Sequence, residues 1–212
     1  MFKTAYRSLI KRKGFTLLNV LGLAIGMTSC LLIFHYVSYE RSFDHFSPVK
    51  DRVVRLSLSS YQQGKLAWNS ATVYPAFGPT LKKDFPEVED FCRLIDFESV
   101  LANPENNFKY TETKGYFADP AAIHMLGVEV IKGNPAEALS QTHQILLSES
   151  TARKYFGYEE AVGKRLQVRA SGAGGGDLVV TGVFKDFPVN SHLMINYLVS
   201  YKTLQSQLNA PG

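Results

Sequence analysis

The sequence has little with which to build a reactive site. Its two cysteines, Cys30 and Cys92, are too few for a disulfide framework, and they fall in different parts of the chain. The five histidines (His35, His45, His124, His143, His192) stand apart from one another and from cysteine, so neither a zinc site nor any other cofactor is expected. A phosphate-binding loop is missing as well. Gly163-Lys164-Arg165 has Tyr158 where such a loop needs its first glycine, and Gly172 to Gly176 leads into Asp177 and a strand, without Lys-Ser/Thr and a helix N-terminus. No G-x-S-x-G turn occurs. Ser148-Glu149-Ser150-Thr151 reads as helix capping, and Asp84, Glu87, Glu89 and Asp90 read as a solvated turn. Trp68 and the eleven tyrosines suit packing. No catalytic, cofactor-binding or metal-binding residue is therefore assigned, and an enzyme is not expected.

Acid is absent from the first thirteen residues, where Lys3, Arg7, Lys11, Arg12 and Lys13 place five positive charges. Taking that +5 from the formal +4 of the whole leaves −1 for everything after Lys13. The basicity is a local tag and not the charged face of a nucleic-acid binder. Phe2, Tyr6, Leu9, Ile10 and Lys13 share one helical face in this segment while Lys3, Arg7 and Lys11 share another. That fits an amphipathic helix at a membrane interface as well as a solvated basic tail.

Residues 14–39 form a run of 26 without Asp, Glu, Lys or Arg. As a helix it reaches about 39 Å at ~1.5 Å per residue, enough to cross a hydrocarbon core about 30 Å thick with room for tilt. Tyr36 and Tyr39 sit at its far end, where amphipathic rings favour the interface, and Glu40, Arg41 and Asp44 make a mixed flank beyond. The five basic residues therefore act as topology determinants: they hold the N-terminus in the cytoplasm and place the chain beyond the run outside. The run is too long for a cleaved signal peptide and no small-residue cleavage site comes after it. Met27-Thr28-Ser29-Cys30 faintly resembles a lipidation box, but the chain stays apolar to Val37. Within the span Gly22 and Gly26 make a G-x-x-x-G pair, the small-residue pattern that lets two helices approach closely in lipid. They are the helix-packing candidates, with the partner helix coming from elsewhere.

Three parts result: a cytoplasmic basic segment at 1–13, a transmembrane helix and its extension at 14–46, and an outer domain at 47–212. In the last, strands are predicted at 53–58, 88–97, 108–111, 145–147, 166–169, 178–184 and 193–199. Helices are predicted at 73–85 (interrupted or started late by Pro75 and Pro79), 120–126 (capped by Asp119), 148–156 (capped by Ser148 and ended by Gly157) and 201–208. Residues 171–177 read as a flexible hairpin loop. Helices and strands intersperse without a βαβ rhythm, so the fold class is α+β.

Several stretches carry a resemblance. Tyr6-Arg7-Ser8-Leu9-Ile10-Lys11-Arg12-Lys13-Gly14-Phe15-Thr16, then 18–26 with Gly22 and Gly26, and 36–44 resemble the start of MacB/FtsX-type ABC transporter permeases. Residues 147–157, Ala161-Val162-Gly163-Lys164 and 180–192 resemble the periplasmic core domain of that family. The resemblance implies a permease subunit in the inner membrane. A separate cytoplasmic ABC ATPase drives its helices, and its periplasmic domain moves in response, for export or extraction of a substrate. The partners implied are the lipid bilayer, that ATPase, a second permease copy, a periplasmic adaptor and an outer-membrane channel, with no nucleic acid. Such permeases have further membrane helices after the periplasmic domain, so this chain is expected to be a fragment with an incomplete core domain. From the residues alone a single-pass extracytoplasmic sensor or binding module remains the alternative.

Overall fold

A computed structural model describes residues 11, 13–43, 47, 49–170 and 175–209. The chain divides into two compact units, Met1–Phe43 and Asp44–Gly212.

The first unit is one helix, α1 (Lys13–Arg41), whose 29 residues bury no side chain. It is long and apolar enough to cross a membrane. Nothing in its interior breaks it: proline is absent, and Gly22 and Gly26 are compatible with a lipid-facing helix. The helix was expected to run through Asp44; it stops at Arg41, where the Ser42 backbone and hydroxyl both donate to the Tyr39 carbonyl (3.0 and 2.6 Å). Asp44 lies outside the described residues.

The second unit is built on a sheet of seven strands: β3 (Leu94–Ala102), β4 (Lys109–Ala118), β5 (Val130–Gly133), β6 (Gln144–Ser148), β7 (Arg165–Ala170), β8 (Gly176–Phe184) and β9 (Tyr197–Ser200). Its order is β5-β8-β6-β9-β4-β3-β7, and β7 also pairs with β8. Six strands therefore close into a ring, with β5 added on the outer half of β8. The β4–β9 and β6–β8 pairs are parallel and the others antiparallel.

Period-two alternation explains the two cores. Leu101, Phe117, Ile145, Leu147, Leu166, Val168, Leu178, Val180, Tyr197 and Val199, contributed by all six ring strands, fill the interior. Their alternates Ala118, Leu146, Phe184 and Leu198 point outward and are covered by Ala122, Val128, Ala138 and Leu139. Helices α4 (Glu149–Phe156) and α5 (Tyr201–Leu208) send Ala152, Tyr155, Phe156, Tyr201 and Leu204 into the interior cluster. Each fully buried Leu, Ile or Phe contributes about 1.5–3 kcal/mol, so these layers dominate the stability of the unit. Gly115 has no side chain because Tyr197 needs the space: a Cβ there would lie 1.9 Å from the tyrosine ring.

The segment before β3 is different in kind. It holds a 3-10 turn (Lys50–Arg52), a two-stranded ribbon of β1 (Leu58–Gln62) and β2 (Lys65–Ser70), and helix α2 (Phe77–Asp84). Gln63 and Gly64, both at positive φ, turn the ribbon. None of its elements has a buried residue.

Several expectations need correction. The strand expected at 53–58 begins only at its last residue; 53–57 belong to no strand. The strand expected at 88–97 lies at Leu94–Ala102, because its partners β4 and β7 stand opposite the later residues. The helix read at 73–85 starts late, at Phe77 past Pro75, as its prolines led one to expect. Asp119 does not cap α3 (Ala121–Met125); Pro120 holds the cap position and the Asp119 carboxylate turns to Arg93. The strand expected at 193–199 shrinks to Tyr197–Ser200, and β2 and β5 were not foreseen. The capping of α4 is as expected: Ser148 Oγ accepts from Thr151 N–H, and Gly157 ends the helix at φ 64°.

Candidate functional site

Lys11 and Lys13 are exposed at the head of α1. Lys3, Arg7 and Arg12 lie outside the described residues. Gly22 and Gly26 face open space, with nothing within 4 Å of where a Cβ would stand. Gly14, Leu17, Leu18, Leu21, Gly22 and Ile25 line a shallow, almost wholly apolar depression along the helix. Such a surface is what close helix–helix approach in lipid requires.

In the second unit, several polar side chains converge on Glu112. Glu112 on β4 is 5% exposed. Its Oε1 accepts from Lys154 Nζ at 2.6 Å and from the Tyr155 hydroxyl at 3.0 Å, and its Oε2 accepts from Asn196 Nδ2 at 3.3 Å. The last turn of α4 supplies two consecutive donors, Lys154 and Tyr155. Lys154 also lies 4.3 Å from the centre of the Tyr110 ring, which adds a cation–π contact. The Tyr155 carbonyl, near the C-terminal end of α4, accepts from Asn103 and Asn106 side chains at 3.0 and 2.9 Å. Asn196 closes the set through its backbone: its N–H donates to Lys114 O, and its carbonyl accepts from Ser148 N–H. Burial, and then the nearby Glu112 charge, push the Tyr155 hydroxyl well above the ordinary tyrosine range. Burial likewise pushes Tyr197 up to about 12, with Ser99 at hydrogen-bond distance, 2.8 Å.

Every donor in this cluster meets an acceptor, and no buried side-chain polar atom among the described residues lacks a partner. Such an arrangement clamps α4 to β4 and to the turn before β9. A second clamp joins the start of β3 to the end of β4. Arg93 grips Asp119 with two side-chain bonds (2.7 and 2.6 Å) and one backbone bond (2.9 Å), and its guanidinium lies 3.7 Å from the Tyr201 ring centre. The acidic stretch resolves into surface ion pairs, Glu89 with Arg52 and Asp90 with Lys82. Among the described residues no group of three His, Cys, Asp or Glu side chains is placed to hold a metal ion. Burial pushes the Cys92 thiol up to about 12, and Cys30 is exposed on α1. Sequence reasoning missed Glu112 altogether. A lone acid in a strand of mixed polarity gives no local sign that it will be covered by a helix about 40 residues later.

Comparison with known proteins bears on this fold. A domain of a putative permease protein from Porphyromonas gingivalis is 28% identical, with a TM-score of 0.54 over 73% of this chain and 65% of that one. The periplasmic region of MacB from Actinobacillus actinomycetemcomitans is 17% identical, with a TM-score of 0.49 over 64% of this chain and 58% of that one. The extracellular domain of the noncanonic ABC-type transporter YknZ from Gram-positive bacteria is 18% identical, with a TM-score of 0.41 over 56% of this chain and 58% of that one. The chain thus spans less than two thirds of the length of each of these solved domains. No curated protein matches. The family described as MacB-like periplasmic core domain matches residues 16–211, from the second turn of α1 through α5. A match over that span, with a mixed α+β unit following one apolar helix, makes this chain a member of the MacB-like periplasmic core domain family.

Proposed function

We propose that this chain is part of the permease subunit of an ABC transporter of the MacB/FtsX type. Its N-terminus faces the cytoplasm, α1 crosses the inner membrane, and the unit after it stands in the periplasm. A separate cytoplasmic ATPase supplies the energy, and the periplasmic unit moves when the membrane helices move, for export or extraction of a substrate. The observation that carries the reading is the continuity of the family match across the apolar helix and the domain after it.

The geometry suits that role. A ring of strands closed through β7 and β8 has few edges that can slip, and the Glu112 and Arg93 clamps fix a helix and the strand ends to it. A unit braced in this way passes on displacement as a rigid body and absorbs little of it. The basic residues Lys3, Arg7, Lys11, Arg12 and Lys13 set the orientation, and Gly22 and Gly26 form the contact face of α1 for a neighbouring helix, a second permease copy included. A periplasmic adaptor and an outer-membrane channel complete the assembly in this reading.

The test is to purify the protein from its own membranes, in mild detergent, by a tag ahead of Met1. Co-purification of an ATPase with a nucleotide-binding cassette is expected. In spheroplasts, a cysteine replacing the fully exposed Tyr158 should react with a membrane-impermeant maleimide. One replacing Lys3 should react only after lysis. A protein recovered without any ATPase, or the opposite labelling pattern, overturns the reading.

A further inference from the structure

Residues 49–91 form an arm that precedes the ring in the chain, and its ties are to itself. Arg52 pairs with Glu89, and Lys82 Nζ donates to Asp90 Oδ1 at 2.8 Å. Gly78 on α2 sits so close to Phe91 that a Cβ there would lie 2.5 Å from the aromatic ring. The 3-10 turn and α2 are thus both fastened to residues 89–91. Arg55 Nε donates to Ala71 O at 3.2 Å and closes the base of the ribbon. Toward the ring of strands the arm has almost nothing. No hydrogen bond, ion pair or aromatic contact of residues 49–91 reaches a described residue beyond Arg93. No residue of the arm belongs to either core cluster or packs against one. A body tied internally and joined to its neighbour at one point moves as a unit about that point.

The two ends of the arm are held at the two ends of α3. Just before the arm, Ser47 Oγ donates to Met125 O at 3.2 Å, at the last residue of α3. Just after it, Arg93 binds Asp119, two residues ahead of α3. α3 itself rests on the outer core through Ala122 and Ile123. The two attachments are unequal. The first is a single bond between uncharged groups. The second is a two-pronged, charge-assisted grip between side chains only 21% and 14% exposed, so solvent screens it little. The Arg93 guanidinium also lies 3.7 Å from the centre of the Tyr201 ring on α5 and 5.3 Å from that of Phe91, the residue on which α2 sits. One flat group therefore touches the ring of strands, a helix packed against it and the end of the arm.

We infer that Arg93 and Asp119 form a pin that sets the angle between the arm and the ring, and that the arm turns as one body about residues 91–93 once the pin is opened. The planar fork suits this role. Two parallel bonds to one carboxylate fix the plane of the guanidinium as well as its position, and the Tyr201 face supports that plane. A lysine is a point charge on a flexible stem and would fix a distance without fixing a direction. The Asp119 carboxylate also accepts from the Arg93 backbone N–H at 2.9 Å, so it holds the main chain at the turning point directly. The inference concerns the arm and the ring alone and stands whether or not an ATPase drives the protein.

The test reads the distance from arm to ring in the 212-residue chain, held in nanodiscs of phosphatidylethanolamine and phosphatidylglycerol. Trp68, the single tryptophan, is a donor already built into the ribbon. The acceptor is a maleimide dye on a cysteine replacing the exposed Tyr158, which follows α4, with Cys30 changed to alanine. Burial pushes the Cys92 thiol up to about 12, so it stays unlabelled at neutral pH. Time-resolved Trp68 emission then gives the distribution of distances. One narrow distribution is expected with the pin intact, and one at least about twice as wide in Asp119→Ala, with the cooperative melting of the sheet retained. Arg93→Lys should widen it as well, since the charge remains and the fork is lost. Lys154→Ala, which opens an ion pair elsewhere on the ring, should leave the width unchanged. Equal widths with and without the pin overturn the inference, as does a distribution already wide in the unaltered chain. Equal widening in Lys154→Ala overturns it too, since that reports general loosening. Should Asp119→Ala fail to fold, Arg93→Lys decides, and a width equal to that of the unaltered chain overturns the inference.

Discussion

Replacing Glu112 with alanine isolates the clamp between α4 and β4. Three donors lose their acceptor, and they do not lose equally. Lys154 has a 40% exposed side chain and turns to water, so its share is that of a surface pair, about 0–1 kcal/mol. The Tyr155 hydroxyl is fully buried and has no solvent to turn to; leaving it unpaired costs about 1–3 kcal/mol. Asn196 forfeits a longer bond of 3.3 Å, worth about 0.5–1 kcal/mol. The total is about 1.5–5 kcal/mol, which for a unit of this size lowers the melting temperature by roughly 3–20 °C. Thermal unfolding of the full chain in detergent, followed by circular dichroism, measures it. Lys154→Ala, which spares the Glu112 bonds to Tyr155 and Asn196, is expected to shift the transition by less than half as much. Equal shifts for the two variants, or a Glu112→Ala shift under about 2 °C, refute the assignment of the cost to the buried hydroxyl.

Two tyrosines with raised pKa values predict an alkaline limit. An unfolded tyrosine ionises near pH 10, whereas Tyr197 is pushed up to about 12 and Tyr155 higher still, so the stability they contribute is complete below pH 10 and is lost as pH rises through the folded values. Urea midpoints should fall steeply between pH 10 and 12, and less steeply in Tyr197→Phe; an unchanged slope removes Tyr197 from the account. In α1, replacing Gly22 and Gly26 together with leucine fills the apolar depression and should abolish cross-linking between neighbouring copies or helices in native membranes; undiminished cross-linking removes those glycines from the contact.

What was legible in the sequence is what local chemistry decides. The apolar helix announces itself by 26 uncharged residues, and α4 by Ser148 at its head and Gly157 at its tail. Ile145, Leu146 and Leu147 read as a strand, and β6 carries them between the two cores. The family resemblance also reached the fold, because its stretches fall on α1, α4 and β8. What was not legible is what distant residues decide. The position of β3 depends on β4, which pairs along 94–102, and on β7, which pairs with 99–102; neither pairs with the β-forming stretch at 88–93. Asp119 looked like a helix cap and became the anchor of Arg93, 26 residues earlier, which binds it three times over. Glu112 carried no local sign of its role, since its partners come from a helix and a turn not yet formed when β4 is read.

The arm is the instructive case, because the sequence and the structure disagree there in a particular direction. Elsewhere a predicted strand that shifted did so toward a better partner. At 53–57, within the arm of residues 49–91 before β3, the β-forming residues stay out of any strand and find no backbone partner among the described residues, although Arg55 Nε donates to Ala71 O. No described residue before Ser99 is buried, so the folded core owes nothing to the arm. The arm nonetheless exposes Val54, Tyr61, Leu66, Trp68, Tyr74 and Phe85, at a cost in hydration free energy of about 1.5 kcal/mol or more per side chain relative to full burial. Local propensity and global packing agree in a sequence that has reached its own minimum. Here they agree throughout the ring and part company along residues 49–91.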